Sequence, residues 1–161
     1  MGTIDIELGD CIERFDHVSV AVNDIRAAVP LATLMGGTFF DGGLNHIGDF
    51  WWAQWELPQG RLEMIEPAHP SDSENFLVRF LRDRGEGVHH LTFKVTDIEK
   101  AVARAEGLGF ELVGIDLSHD FWKEAFVHPR GANGVLVQLA EWIDKTPPQG
   151  HTLEDALTPG G

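Results

Sequence analysis

Apolar and polar residues alternate over HVSVAV (His17 to Val22) and again over HLTFKV (His90 to Val95), the period of a half-buried strand. Behind each strand an aspartate opens a helical pattern. Asp24 precedes IRAAVPLATLM and Asp97 precedes IEKAVARAEGL, each placed as an N-cap. Gly36-Gly37 and Gly107 to Gly109 are set to end these helices, and Pro30 is expected to shorten or kink the first. Three more strands follow in each half: GTFFDG, DFWWAQWELP and RLEMIEP, then FELVGI, DFWKEAFVHP and GVLVQLAE. PQG and PRGANG between the last two strands of each half are hairpin turn chemistry. Each half therefore reads βαβββ.

The halves also match residue by residue. From Asp16 to Val29 and from His89 to Val102, at an offset of 73 (90 − 17), His17/His90, Val22/Val95, Asp24/Asp97, Ile25/Ile98, Ala28/Ala101 and Val29/Val102 are identical. FWWAQWELP (from Phe50) matches FWKEAFVHP (from Phe121), and RLEMIEP (from Arg61) matches LVQLAEW (from Leu136). An internal repeat of this kind points to duplicated modules. The expected organisation is a lead-in over residues 1–14, a first module over 15–70 and a linker with a short helix over 71–87. A second module over 88–144 and an extension over 145–161 complete it. The Pro/Gly-rich composition of KTPPQGHTLEDALTPGG predicts that this extension is extended or poorly ordered.

Alternation sorts the side chains into faces. Val18, Val20 and Val22 share one face in the first half, and Leu91, Phe93 and Val95 share one in the second; these should pack on helices. His17, Ser19 and Ala21, and likewise His90, Thr92 and Lys94, fall on the opposite, small and polar side. In the last strands Leu62 and Met64 face away from Glu63 and Ile65, and Val137 and Leu139 face away from Gln138. Each half thus offers one histidine and one Glu or Gln at equivalent places. A two-fold relation between halves would converge His17, Glu63, His90 and Gln138 on one site. Two imidazoles, a carboxylate and an amide oxygen suit a divalent metal with open positions. In FWWAQWEL, Phe50, Trp52, Gln54 and Glu56 share a face, and Trp51, Ala53, Trp55 and Leu57 share the other. Trp52 and Gln54, with Lys123 from the matching strand, are the candidates for touching a substrate.

FDHVSVAVNDI, LEMIEP, the linker SDSENFLVRFLRDRGEGVHHLTFKVTDIEKAV and HPRGANGVLVQLAE resemble the vicinal oxygen chelate (glyoxalase/bleomycin resistance/dioxygenase) superfamily, and within it methylmalonyl-CoA epimerase. The resemblance implies an α+β fold of paired βαβββ modules forming a cupped mixed β-sheet, with a metal held by His17, Glu63, His90 and Gln138. It implies cobalt, manganese, nickel or zinc for an isomerase, iron for a dioxygenase, and a homodimer. The activity implied is an isomerase or epimerase working beside the carbonyl of an acyl-CoA or 2-oxo substrate through a metal-stabilised enolate. The carboxylate Glu63 is this reading's own candidate base, and Gln138 stands where the acid of the opposite face is expected. One departure matters. The epimerases carry Gln in the first half and Glu in the last strand, whereas here Glu63 comes first and Gln138 last, and an amide cannot take a proton at neutral pH. Two other readings stand beside this one. His17, His90 and Glu63 make a two-histidine, one-carboxylate set for a non-haem ferrous dioxygenase. Alternatively, the aromatic third strands could bind a small molecule without catalysis.

Composition narrows the partners. A formal net charge of −14 argues against nucleic acid or an anionic membrane as partner. No stretch reaches the ~18 apolar residues of a membrane span. A single cysteine, Cys11, excludes an internal disulfide and fits a reducing cytoplasm. Lys94, Lys123 and Arg130 are the cations placed to meet an acidic acyl-CoA.

Overall fold

A computed structural model describes residues 11–160, so residues 1–10 of the expected lead-in and residue 161 lie outside it. The elements along the chain are β1 (Ile12–Ala21), α1 (Ile25–Leu34), β2 (Thr38–Asn45), β3 (Phe50–Glu56), β4 (Arg61–Pro67), α2 (Phe76–Arg84) and β5 (Gly87–Val95). They continue with α3 (Ile98–Gly107), β6 (Leu112–Asp116), β7 (Lys123–Val127), β8 (Val137–Glu141) and α4 (Leu153–Ala156). This is the expected α+β order of two βαβββ modules. Strand β1 begins at Ile12, inside the stretch read from sequence as lead-in, and Cys11 beside it is fully buried.

Both helices after the first strands form for the reasons their sequences suggest. The Asp24 carboxylate accepts from the N–H groups of Arg26 and Ala27, and that of Asp97 accepts from Lys100. At the other ends Gly36 (φ +74°) and Gly109 (φ +86°) take the left-handed conformation. Gly37 N–H then reaches Ala32 C=O at 2.8 Å and Phe110 N–H reaches Ala105 C=O at 3.0 Å, the same closing turn twice. A second N-terminal contact also recurs: Glu66 accepts from Ile25 N–H and Glu141 from Ile98 N–H, each at 2.8 Å. Pro30 does not end α1, which runs on to Leu34.

The chain forms two compact units that do not follow the module boundaries. Among the described residues, one comprises His17–His89 with 145–160; the other comprises 11–16 with His90–Asp144. In the first, the strand order is β2-β3-β4-β1, with β1 parallel to β4 and the other pairs antiparallel. Its core joins Val18, Val20, Val22, Ala53, Trp55, Leu62 and Met64 to Ile25 and Ala32 of α1. On the opposite face Ala21 and Ile65 meet Leu77 of α2, with Phe50, Trp52, Phe80 and Leu81 around them. In the second unit the order is β5-β8-β7-β6, with β5 parallel to β8. Phe93, Val95, Ala125, Val127, Val137 and Leu139 pack there on Ile98 and Ala101 of α3 and on Cys11.

The segment after Asp144 departs from expectation. It is not simply extended: Thr152 and Asp155 form a reciprocal capping box that starts α4. Ala156 and Leu157 are buried and Leu153 packs beside Leu157 on the first unit's core. Short apolar side chains inside a Pro/Gly-rich stretch suffice to dock it.

Candidate functional site

In the first unit His17 and Ser19 on β1 lie beside Glu63 on β4, because Ser19 pairs in register with Glu63. All three are buried. His17 Nε2 is 3.5 Å from Glu63 Oε1. The Ser19 hydroxyl donates to Glu63 Oε1 at 2.8 Å, and the Gln54 amide nitrogen donates to Glu63 Oε2 at 2.8 Å. Two neutral donors thus hold a buried carboxylate in one rotamer, and its ionised form is hydrogen-bonded on both oxygens. Gln54 is therefore a support of Glu63, since its amide is directed at that carboxylate. Trp52 shares its face of β3 but packs in the apolar cluster with Ile65 and Leu77.

The second unit repeats the pattern with the chemistry altered. Thr92 on β5 pairs in register with Gln138 on β8, as Ser19 does with Glu63. Its hydroxyl donates to Gln138 Oε1 at 2.6 Å. Gln138 Nε2 donates to Glu124 Oε2 at 2.6 Å, and the Trp122 indole N–H donates to the same oxygen at 2.8 Å. His90 is buried and lies edge-on to the Phe126 ring, centroids 6.0 Å apart.

Glu124 was not singled out by sequence because the match FWWAQWELP/FWKEAFVHP is off by one. Gln54 pairs with Glu63, whereas Phe126 pairs with Gln138, so Gln54 corresponds to Phe126 and Trp52 to Glu124. By the same shift Lys123 corresponds to Trp51, not to Trp52. Lys123 alternates with Ala125 and Val127, which face the α3 core, and so lies on the opposite side of β7 from Glu124. It borders a cavity of about 340 Å³ with Glu13, Asp120, Glu141 and Trp142. Lys94 shares the polar face with His90 and Thr92 but is engaged by Asp144 at 2.9 Å and Glu13 at 3.2 Å. Arg14 and Lys94 in turn hold the Asp144 carboxyl well below the usual carboxylate range.

His89 and His90 are neighbours in the chain, and strand alternation sends them to opposite faces. His90 is on the polar face, whereas His89 belongs to the first unit and sits against the rings of Phe80 and Phe76 at 4.8 and 5.5 Å. Burial there pushes the His89 pKa down to about 4; Arg84 lowers it further and Glu63 opposes.

Residues 16–126 match the family described as the Glyoxalase/Bleomycin resistance protein/Dioxygenase superfamily. The chain is 30% identical over 139 residues to the uncharacterized protein YqjC of Bacillus subtilis, covering 81% of this chain and 93% of that one. It is 28% identical over 141 residues to an ethylmalonyl-CoA/methylmalonyl-CoA epimerase of Cereibacter sphaeroides, covering 81% and 98%. The crystal structure of methylmalonyl-CoA epimerase from Mycobacterium tuberculosis superposes with a TM-score of 0.69 at 23% identity, covering 84% of this chain and 91% of that one; this likeness is one of fold. With the repeated βαβββ modules, the paired histidines and this match in hand, the chain belongs to the glyoxalase/bleomycin resistance protein/dioxygenase superfamily.

Proposed function

We propose that this chain is a metal-dependent epimerase- or isomerase-type enzyme that moves a proton at the carbon next to the carbonyl of an acyl-CoA or 2-oxo substrate. The metal ligands in this reading are His17, Glu63, His90 and Gln138: two imidazoles, a carboxylate and an amide oxygen. The observation that carries it is the recurrence of one buried unit: imidazole, hydroxyl and a Glu or Gln, as His17-Ser19-Glu63 and as His90-Thr92-Gln138. The donors fit a divalent ion chemically. Ser19 and Gln54 hold the carboxylate through one oxygen each, as supporting groups around metal ligands do, and Thr92 holds the amide oxygen. A divalent ion bound there supplies Lewis acidity toward the substrate oxygen.

Within this reading Glu63 takes the proton from the α-carbon, and the electron pair of the broken C–H bond moves toward the carbonyl oxygen. Ser19 and Gln54 keep the carboxylate aimed and hydrogen-bonded before it reacts. The likeness to the epimerase of Cereibacter sphaeroides favours an acyl-CoA substrate, and the reading includes a homodimer.

The test is elemental analysis of protein purified without chelators, with His17→Ala/His90→Ala as the blank, followed by solvent deuterium exchange into acyl-CoA substrates. Stoichiometric cobalt, manganese, nickel or zinc, with exchange lost in Glu63→Gln, is the expected result. Stoichiometric iron with oxygen uptake would replace this reading by the dioxygenase, for which two histidines and one carboxylate are the usual set. Equal metal in both proteins, or none in either, would overturn the metal site and leave a binding protein.

A further inference from the structure

We propose that Glu124 is a positioning residue that fixes which end of the Gln138 side-chain amide is presented as a ligand. An amide has an oxygen that can bind a cation and an NH2 that cannot. The Thr92 hydroxyl can donate or accept, so Thr92 alone suits either orientation. An ionised carboxylate only accepts. Glu124 therefore demands the NH2 end of Gln138, which it takes at 2.6 Å. It is itself held by Trp122, whose indole N–H can only donate and reaches the same oxygen at 2.8 Å. The Trp122 ring is stacked on Trp142, centroids 4.9 Å apart at 22°, which restrains the indole. With the NH2 so committed, Gln138 Oε1 receives the Thr92 hydroxyl and keeps a second lone pair.

The first unit explains why such a lock is needed only once. There the carboxylate, Glu63, is on the strand next to the histidine strand, and the amide, Gln54, supports it from β3. In the second unit the two types are exchanged: the amide, Gln138, is on β8 and the carboxylate, Glu124, supports it from β7. A carboxylate presents oxygen whichever way it turns; an amide does not. Glu124 is the compensation for having glutamine at residue 138.

The ligand role of Gln138 rests on the metal reading above, so the test separates the two. In full-length metal-free protein, the Gln138 side-chain NH2 is followed by nitrogen-15 NMR, and cobalt(II) affinity is measured by titration. The variants are Glu124→Leu, Gln138→Glu and the pair together. Glu124→Leu should abolish solvent-exchange protection of the Gln138 NH2 and weaken cobalt binding about tenfold, the size usual for losing a group that orients a ligand. In the Gln138→Glu background the same change should weaken binding less than about threefold, because the new carboxylate has no wrong end; the difference is the coupling. Equal weakening in both backgrounds would assign the effect to the charge or packing of Glu124 and overturn the lock, as would NH2 protection that survives Glu124→Leu. Protection lost on that change while no protein binds cobalt would support the lock and overturn the metal reading.

Discussion

Truncating Leu157 to alanine tests what holds the segment after Asp144. Leu157 is 6% exposed and lies in the cluster with Trp55, Ala53 and Leu62, with Leu153 and Phe39 beside it. Removing a buried leucine side chain down to Cβ typically costs about 2–4 kcal/mol, from lost transfer energy plus the cavity left behind. The segment also carries a geometrically good ion pair. Arg26 Nε and Nη2 reach the Glu154 carboxylate at 3.0 to 3.1 Å. Those side chains are 46% and 70% exposed, however, so water screens them and the pair is worth about 0.5 kcal/mol. Urea unfolding followed by tryptophan fluorescence should therefore rank Leu157→Ala well above Glu154→Ala, and the deficit of Leu157→Ala should persist in 1 M salt, in line with the strong screening expected at roughly that concentration. A Glu154→Ala loss equal to or larger than that of Leu157→Ala would show that charge, not burial, holds the segment.

Other outcomes follow from the same geometry. A Cβ at Gly42 would meet the Trp52 carbonyl oxygen at 2.7 Å and the Ala156 Cβ at 3.0 Å, so Gly42→Ala should unfold at lower urea and loosen α4, read by faster amide exchange at residues 153–156. His89 has a folded pKa of about 4 against 6.5 unfolded. As pH falls from about 6.5 the unfolded chain binds a proton that the folded chain refuses, so stability declines down to about pH 4 and is flat below it. That contribution is on the order of 2 kcal/mol after allowance for partial exposure, and unfolding curves of His89→Phe should lack the slope. Glu66 shifts the opposite way in consequence: burial raises its carboxyl, so its share of stability is present at low pH and declines as pH rises from about 4.5 through its folded value. Glu66→Gln, which keeps an acceptor for Ile25 N–H, should remove that decline in pH-dependent melts.

Much of the face geometry around the candidate residues was readable because strand alternation is a strict rule. The separation of Glu63 from Leu62 and Met64, and of His90 from Phe93 and Val95, follows from period two alone, and the packing reproduces it. The aspartate caps and the glycines ending α1 and α3 were equally legible, because each needs one residue type at one position. Glu124 was not, because matching Phe50 with Phe121 put aromatic likeness ahead of register, and a shift of one residue in a strand exchanges its faces. The roles of Glu66 and Glu141 were missed because their partners are backbone N–H groups about 40 residues away, which leave no local pattern. The docked tail was missed because composition averages over Leu153 and Leu157, whose burial decides its behaviour.

The membership of the two compact units has a consequence for how the molecule can be cut. Severing the backbone between His89 and His90 would leave two pieces of the duplicated sequence, yet neither piece would be self-sufficient. The first would carry away the leading strand segment that the second piece's sheet uses, and the second would carry away the helix that covers the first piece's core. Each repeat has lent its outer end to the other's keeping. Co-expressed fragments should therefore regain folded protein where isolated ones do not, read by co-purification of the two pieces.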